Sequence, residues 1–582
     1  MKKITFSKII QILFYTFVFC YLLAHSYSYL DPDLGWHLKV GEQIINEKAV
    51  PSYEYYDWTL EGKKWVDHEW LINVTTFWLY KNFGYLMVNI FFALIILLTL
   101  ILLNIFTQKY FLKEKNGLFF ILFFQTLGLV AMAPHLGVRM QEITVLNLLL
   151  LLIIIYHYEK NKNFKILFWL LPLFYFWACL HPGFLIGIFI MFFWLGVKLI
   201  KPLSFFRKRA RGKLLIQIRD NLQIIRNNSR LIFFSFIFLS ILATFFTPYG
   251  FKLYEFLFGY NSAFYLTHIQ EWLPFFSFPI LYWQLLYTAF VAVVIILSII
   301  DVIKKPVPDW SPSGREKKLI LWDLLISLFF IILAFKSKRH FPLLFIVSFP
   351  MVVKFFIDSF NFKEIFKKFT PLEKVVDSSI PLLAQNNKKQ TSLMGFSQQL
   401  FLVKPYLIIA FLLIIVSQFL KINFTSDPFL SFKNDYPQKA VIFLKNNPQY
   451  DNLKFFNPYS WGGYLIWTLP ERKLFIDGRL PQYSFKNHTF LEEYYEFFDK
   501  EKVKKKLNEY NIKLVLLNIK EKKYKFNWFE KYFLGFDEDE INKNANENHL
   551  RDYLNNSNKW EKIYNDKISA VYVKDRELQN VK

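Results

Sequence analysis

The sequence has little cysteine and little charge. Only two of its 582 residues are cysteines, and Asp, Glu, Lys and Arg together make up 20%. Two cysteines are too few for a disulfide-stapled scaffold. Cys20 and Cys179 both lie inside apolar runs, so neither belongs to a zinc-finger or thioredoxin-type motif. The chain also lacks a Walker loop, a Rossmann glycine fingerprint and an HExxH pair, so an ATP-driven pump or a zinc protease has no support.

What the sequence has instead is aromatic and aliphatic residues in long runs, which excludes a disordered chain. Since about 20 apolar residues cross a bilayer as a helix, we expect about eleven transmembrane helices within a membrane domain of residues 1–421. The predicted spans are approximately residues 9–30, 85–106, 117–134, 142–157, 166–180, 183–200, 231–247, 283–301, 319–335, 341–357 and 405–421. The first run is too long for a signal-peptide core, so we interpret it as a retained span.

Positive charge is distributed between the spans as the positive-inside rule requires. A cytoplasmic N-terminus gives the inner segments 1–8, 107–116, 158–165, 201–230, 302–318 and 358–404. Together they carry 30 Lys and Arg residues, whereas the first outer loop, 31–84, carries five Lys, no Arg and nine Asp and Glu. Much of the net charge of +24 therefore reflects membrane topology, and we expect no nucleic-acid partner.

The composition changes after the last predicted span. Residues 422–582 are more charged and contain short apolar runs separated by turns. Residues 473–477 and 512–518 read as buried strands, 491–510 as one or two helices and 560–575 as a hairpin. Alternating strands and helices predict a small extracytoplasmic α/β domain with a partly parallel sheet.

Acidic residues follow the first predicted span at once. Asp31 and Asp33 precede a helical pattern that begins at Trp36 and would lie flat on the outer membrane surface. One interpretation makes Asp33 a base or metal ligand held above the membrane. The other makes both aspartates helix caps and Trp36 an interfacial anchor.

Asp67, His68 and Glu69 are three consecutive ionisable residues at the start of a second amphipathic stretch. Carboxylate and imidazole groups together can bind a divalent cation or relay a proton. Neighbouring residues of a helix point in different directions, so the three cannot share one site if the helix has already begun. The alternative is an ordinary polar helix start.

Basic residues lie in other outer turns: Arg139 between the third and fourth spans, His181 between the fifth and sixth, and Lys338, Arg339 and His340 between the ninth and tenth. A guanidinium fork matches phosphate oxygens. The alternatives are snorkelling toward lipid headgroups and, for His181, a helix-cap role. Acidic and basic groups on one face favour an enzyme that acts on a lipid-linked phosphate over a transporter, which would place charges at mid-span.

Seven segments make the chain resemble the GT-C membrane glycosyltransferases and, more closely, uncharacterised bacterial multi-span proteins of that superfamily. They are DPDLGWHLKVG (31–41), WVDHEWL (65–71), VRMQEIT (138–144), LHPGF (180–184), TPYG (247–250), KSKRHFPL (336–343) and FNPYSWGGYLIWTLPERKLFIDGR (456–479). The resemblance implies a polyprenyl-phosphate-linked sugar donor and a catalytic acid in the first outer loop, Asp33 or Asp31, with His37 among the substrate-binding candidates. The loop lacks the Asp-Glu pairing of better-known relatives, which leaves the identity of the base open.

The last of these segments has two interpretations. Trp461 and its aromatic neighbours could stack on sugar rings, or they could form the core of the domain and dock it on the membrane part. Gly462 and Gly463 permit a close approach to another backbone. Asp477 and Arg479 end a predicted strand at its carboxyl edge, where α/β sheets bind ligands.

The sequence thus predicts a bacterial inner-membrane glycosyltransferase that moves a sugar from a polyprenyl-phosphate-linked donor to an extracytoplasmic glycan, lipid or protein. Asp31, Asp33, Asp67, His68 and Glu69 are the catalytic candidates. No motif demands a cofactor, and a divalent cation, Mg²⁺ or Mn²⁺, is the one that the acidic loop could bind. A non-catalytic scaffold or flippase-like partner in envelope polysaccharide assembly, and a solute transporter, are the alternatives.

Overall fold

A computed structural model describes residues 6–112, 117–199, 228–259, 264–304, 312–359, 416–417, 420, 427–432, 435–485 and 487–574. Up to residue 359 its described α-helices are α1 (Phe6–Ser26), α2 (Leu34–Glu47), α3 (Trp70–Tyr110), α4 (Leu118–Met132), α5 (Glu142–Asn161), α6 (Leu170–Leu180), α7 (Phe184–Leu199), α8 (Asn228–Thr244), α9 (Phe251–Phe258), α10 (Tyr265–His268), α11 (Tyr282–Lys304), α12 (Pro312–Lys336) and α13 (Phe341–Ser359).

Six helices of the described residues are long and apolar enough to cross a membrane: Ser7–Ser26, Trp70–Tyr110, Leu118–His135, Glu142–Asn161, Tyr282–Ile300 and Lys338–Ser359. Shorter apolar helices cover Phe164–Leu180, Phe184–Lys198 and Arg230–Thr244. Helices occupy every predicted span from 9–30 to 341–357, which confirms the prediction of a mostly helical multi-pass membrane protein. The predicted span 405–421 lies almost entirely outside the described residues.

Two helices lie in the first outer loop, between the first two membrane-spanning segments. One is α2, where the sequence predicts a helix. The other is the first part of α3, which is separated from the membrane span by non-helical backbone at Gly84 (φ 75°, ψ −176°). Glycine suits this bend because a positive φ strains residues that have a Cβ. The two helices pack closely, since a Cβ on Gly41 would lie 2.2 Å from the carbonyl oxygen of Asn73.

The C-terminal region is a small α/β structure, as predicted. Its helices are α14 (Pro428–Ser431), α15 (Gln438–Lys445), α16 (Gly462–Thr468), α17 (Phe490–Tyr495), α18 (Val503–Glu509), α19 (Trp528–Tyr532), α20 (Glu538–Asn546) and α21 (His549–Asn556). Its strands are β1 (Phe455–Phe456), β2 (Ser484–Phe485), β3 (His488–Thr489), β4 (Leu514–Asn518), β5 (Trp560–Asn565) and β6 (Ser569–Lys574). The main sheet has the order β1-β4-β6-β5, and β2 and β3 form a separate hairpin.

The sheet is partly parallel, because β1 runs parallel to β4 while β4, β6 and β5 are antiparallel. Strand β4 and the β5–β6 hairpin confirm the predictions for 512–518 and 560–575, and α17 and α18 confirm the helices in 491–510. The predicted strand at 473–477 is wrong. These residues form one isolated bridge, between Leu474 and Asp57, and their apolar side chains are buried between the first outer loop and aromatic residues of the C-terminal region.

Helix α16 rests directly on helix α2 through two glycines. A Cβ on Gly463 would lie 2.3 Å from the carbonyl oxygen of Pro32, and a Cβ on Gly35 would lie 2.0 Å from the carbonyl oxygen of Gly463. The close backbone approach predicted for the Gly462–Gly463 pair is therefore present, and its partner is the first outer loop. This contact brings the C-terminal region to the start of α2.

Candidate active site at the first outer loop

Asp31 is held by an arginine that follows a different span. The Nε atom of Arg139 lies 3.0 Å from Oδ2 of Asp31, and the same guanidinium pairs with Glu271. The Arg139 side chain is 6% exposed, so these ion pairs are shielded from water. Burial lowers the pKa of Arg139, but Glu271 and Asp31 outweigh burial and raise it above its usual value. Asp31 is therefore committed to an ion pair.

Asp33 differs from Asp31 in having no ion pair with a basic residue among the described residues. It stands directly before α2, but its side chain makes no capping hydrogen bond, so the cap interpretation does not describe it. Its carboxylate lies against the C-terminal region, because a Cβ on Gly478 would lie 2.3 Å from Oδ1. Burial, with a further contribution from the charge of Asp31, raises the pKa of Asp33 to about 7. Such a carboxyl group can exchange a proton near neutral pH.

Glu69 faces an imidazole whose tautomer is set by its neighbours. The Nδ1 atom of His181 accepts a hydrogen bond from the Gly183 amide at 3.0 Å and contacts the Thr144 hydroxyl at 2.8 Å. The Trp177 indole donates to that hydroxyl at 3.0 Å, so the hydroxyl donates to Nδ1. The ring proton is therefore on Nε2, which lies 3.5 Å from Oε1 of Glu69.

Both members of this pair are neutral near pH 7. Burial lowers the pKa of His181 well below its usual value, and burial raises the pKa of Glu69 to about 8. An uncharged imidazole N–H and a protonated carboxyl group can both donate hydrogen bonds to a ligand that carries oxygen atoms.

Asp67 belongs to a buried chain that joins the two surface helices. The Asn73 amide donates to both carboxylate oxygens of Asp67, at 3.0 and 2.9 Å, and its Oδ1 lies 2.6 Å from Nδ1 of His37. The Nε2 atom of His68 lies 4.0 Å from Oε1 of Glu69. His68 and Glu69 therefore lie near each other, while Asp67 turns to Asn73. Because α3 begins only after Glu69, the restriction expected for residues inside a helix does not apply to these three. Asp67 and His37 are engaged with Asn73 in the interior.

Arg339 is a cation whose charge acts on both Asp31 and Glu69. Its guanidinium lies 4.8 Å from the centre of the Trp272 ring, and no ion pair joins it to a carboxylate within the described ranges. Its positive charge opposes the rise that burial causes in the pKa of both Asp31 and Glu69. Arg339 is partly exposed, so the guanidinium fork can receive an anion.

The neighbours of Arg339 have other surroundings. Lys338 is 3% exposed and donates through Nζ to the backbone carbonyl oxygens of Ser277 and Pro279. The His340 ring stands perpendicular to the Trp272 ring, at 6.4 Å between centroids. Of the three basic residues predicted to bind phosphate, Arg339 is thus the one that the structure leaves without a backbone or carboxylate partner in the described part of the chain.

Asp477 and Arg479 form a buried joint with the first outer loop. Arg479 pairs with Asp477 and, through Nη2 at 2.8 Å, with Glu54. Oxygen atoms of Glu54, Asp57 and Asp477 lie within 4.8 Å of one another, the one carboxylate group of this kind found in the described residues. The Arg479 guanidinium pairs with two of these three carboxyl groups, and the expected Mg²⁺ or Mn²⁺ stays a prediction.

The sugar-stacking role expected for Trp461 is corrected by its burial. Trp461 is 2% exposed, and its indole N–H donates to the Asp435 carbonyl oxygen at 3.1 Å. Tyr464 is equally buried and stacks on Tyr436, with ring centroids 4.8 Å apart. These aromatic residues present no free ring face and form the core that the alternative interpretation predicts.

Three residues of the site are absent from the sequence predictions. Glu271, Thr144 and Gly478 belong to no chemical motif, and Glu271 shows only as a single carboxylate in an otherwise apolar outer segment. Each acquires its role from a partner far away in the chain, as Glu271 does from Arg139, 132 residues earlier. Patterns within a short window do not contain this information.

No family model and no curated protein matches the chain. Several solved structures are similar to it, among them the following two. One is the Archaeoglobus fulgidus oligosaccharyltransferase tethered with an acceptor peptide, with a TM-score of 0.47 and 11% identity, covering 87% of this chain and 68% of that one. The other is ArnT from Cupriavidus metallidurans bound to undecaprenyl phosphate, with a TM-score of 0.44 and 11% identity, covering 97% of both chains.

Proposed function

We propose that this protein is a membrane glycosyltransferase that moves a sugar from a polyprenyl-phosphate-linked donor to an acceptor hydroxyl. The observation that carries the proposal is that two charged side chains without an ion-pair partner in the described residues, Asp33 and Arg339, lie near the same acidic residue, Asp31. Both residues border the buried Asp31–Arg139 ion pair. A base and a free cation at a membrane surface are what transfer from a lipid-linked phosphate needs.

In this reaction Asp33 takes the proton of the acceptor hydroxyl, and the oxygen forms a bond to the anomeric carbon of the sugar. The bond between that carbon and the phosphate oxygen breaks, and the lipid phosphate leaves with the electron pair. Arg339 stabilises the charge that develops on the phosphate, because a guanidinium binds two phosphate oxygens at once. The neutral donors Glu69 and His181 are placed to hold sugar or phosphate oxygens nearby.

The experiment that tests this function is mass spectrometry of surface glycans and polyprenyl-linked sugars from cells with and without the protein. We expect one sugar to be missing from the surface and one lipid-linked sugar to accumulate. If the protein is instead a non-catalytic scaffold in envelope polysaccharide assembly, the surface sugar should depend on the presence of the protein but not on Asp33. Unchanged glycans and unchanged lipid-linked sugars would contradict the proposal.

The pH dependence of transfer should follow the protonation of Asp33. Burial, and then the charge of Asp31, raises the pKa of this carboxyl group to about 7. A general base works only when deprotonated, so turnover should rise with pH and level off above about 7. Initial rates measured on both sides of this value check the prediction.

The matched variant for this profile is Asp31→Asn. It removes the negative charge that contributes to the raised pKa of Asp33, so the rising limb should move to lower pH. A profile that stays in place or moves upward would show that Asp33 is not the group that titrates.

Arg339→Lys separates phosphate recognition from simple attraction to headgroups. Lysine keeps the charge but loses the planar fork, so turnover should fall clearly while membrane insertion stays normal. Arg339→Ala should lower turnover by about 100-fold, the usual order for removing one donor to a developing anion. Transfer rates in membranes with matched protein amounts provide the measurement.

The control for Arg339 is Lys336→Ala, which removes an exposed basic residue at the end of α12. Headgroup snorkelling predicts small, similar effects for both positions. If Arg339→Lys turns over as fast as the parent, the phosphate role of Arg339 should be abandoned.

A further inference from the structure

Helix α19 and the residue after it expose a group of large aromatic side chains. Trp528, Tyr532 and Phe533 are 65%, 76% and 72% exposed. The ring of Trp528 lies 6.0 Å from that of Tyr532 and 5.9 Å from that of Phe533, so the three form one continuous surface, called the aromatic ridge below. A contiguous exposed apolar patch of this kind marks an interaction surface.

The ridge is built on ordered backbone. Asn527 and Glu530 form a reciprocal capping box at the start of α19, in which each side chain accepts a hydrogen bond from the backbone of the other. This cap satisfies backbone donors at the helix start and stabilises a helix that has only five residues. The exposed rings are therefore held outward by a defined helix.

The ridge lies where a membrane helix begins. Asn527 donates a hydrogen bond to the hydroxyl of Tyr282, the first residue of the membrane-crossing helix α11, and the Phe529 ring lies 6.5 Å from the Tyr282 ring. Tyr282 and Trp283 are themselves 40% and 54% exposed. Tyrosine and tryptophan at the end of a span are typical of the membrane–water interface.

A second contact holds the ridge beside the start of α11. Phe278, in the turn before α11, packs against Tyr524 and Phe526, with ring centroids at 4.7 and 4.8 Å. The segment that carries the ridge is thus attached on both sides of the turn that leads into the bilayer. A surface held next to the first residues of a membrane-crossing helix is expected to face lipid headgroups.

Charges of both signs surround the ridge. Lys523 and Lys525 precede α19 and are exposed, whereas Lys531 pairs with Glu538 at 2.6 Å and the acidic run 537–540 follows. The aromatic rings are typical of segments that lie in the membrane interface, so they, and not a net charge, indicate lipid as the partner.

We infer that the aromatic ridge inserts into the headgroup region of the lipid bilayer and anchors the C-terminal region to the membrane next to α11. The anchor keeps the C-terminal region seated on the first outer loop, where Gly478 contacts Asp33. This binding surface is independent of the proposed transfer reaction. It requires only that α11 crosses the membrane.

The test uses the full chain in nanodiscs of phosphatidylcholine and phosphatidylglycerol. A spin label is attached to Trp528→Cys and, separately, to Phe533→Cys, and its collisions with oxygen and with a water-soluble nickel chelate are measured. Both native cysteines are buried, so the unsubstituted chain gives the labelling background. The matched control is Lys559→Cys, an exposed site next to β5, at the sheet edge opposite β1.

We expect the labels on the ridge to collide more with oxygen than with nickel, at a depth of about 5–10 Å below the headgroup boundary. The label at Lys559→Cys should collide freely with nickel. High nickel accessibility at the ridge would place it in water, and low accessibility to both reagents would place it against a protein or a second copy of the chain. Either result overturns the inference. Should one substitution unfold the protein, Tyr532→Cys probes the same surface.

Discussion

Asp33→Asn is expected to lower sugar transfer by about 100-fold or more, the usual order for removing a general base. Asparagine keeps the size of the side chain but cannot take the proton of the acceptor hydroxyl. Protein yield and thermal stability should barely change, because Asp33 makes neither a capping hydrogen bond nor an ion pair in the described part of the structure. The measurement is product formation by membranes adjusted to equal protein amounts.

The control for this variant is Glu47→Gln, which neutralises an exposed carboxylate at the other end of the same helix, α2. It should transfer sugar at the parental rate. Near-normal activity in Asp33→Asn would contradict the assignment and move the role of base first to Asp31 and then to Asp67. The structure ranks them in that order, since Asp31 borders the site while Asp67 is engaged with Asn73 in the interior.

The parts of the fold that could be predicted from the sequence are those that depend on local patterns. Apolar run length predicts the membrane helices, and the pattern from Trp36 predicts α2. A short apolar run predicts β4, and the turn at Asn565–Asp566 predicts the β5–β6 hairpin. The segment 473–477 shows where this reasoning stops. Its apolar residues are buried between the first outer loop and the aromatic core of the C-terminal region without joining a sheet, and burial alone does not distinguish this environment from a strand.

Sequence reasoning named part of the candidate site but not which of its residues pair with one another. Topology places Asp31, Arg139 and Arg339 on one side of the membrane, which sequence reasoning can deduce. That Arg139 holds Asp31 while Asp33 stays unpaired depends on side-chain geometry across 108 residues of chain. The placement of Gly478 against Asp33 depends on two regions that are separated by most of the sequence.

The ion pairs of Arg479 connect these two regions, and breaking them has the largest expected effect on stability. Arg479 lies between the rings of Tyr56 and Trp65, each 4.7 Å from its guanidinium carbon. It pairs with Glu54 and Asp477, and the side chains of all three residues are buried. A buried carboxylate that loses its cation stays desolvated without compensation.

Arg479→Met should therefore lower the free energy of unfolding by about 3–5 kcal/mol, the usual range for breaking a buried ion pair. Chemical denaturation of the detergent-solubilised full chain measures it. The matched control is Lys473→Met, which removes a neighbouring cation whose partner, Glu61, is exposed at the surface. That change should cost at most about 1 kcal/mol. If Arg479→Met is no less stable than Lys473→Met, the ion pairs of Arg479 are not what holds the C-terminal region on the first outer loop, and the other contacts, among them the glycine contact between α2 and α16 and the Leu474–Asp57 bridge, must carry that attachment.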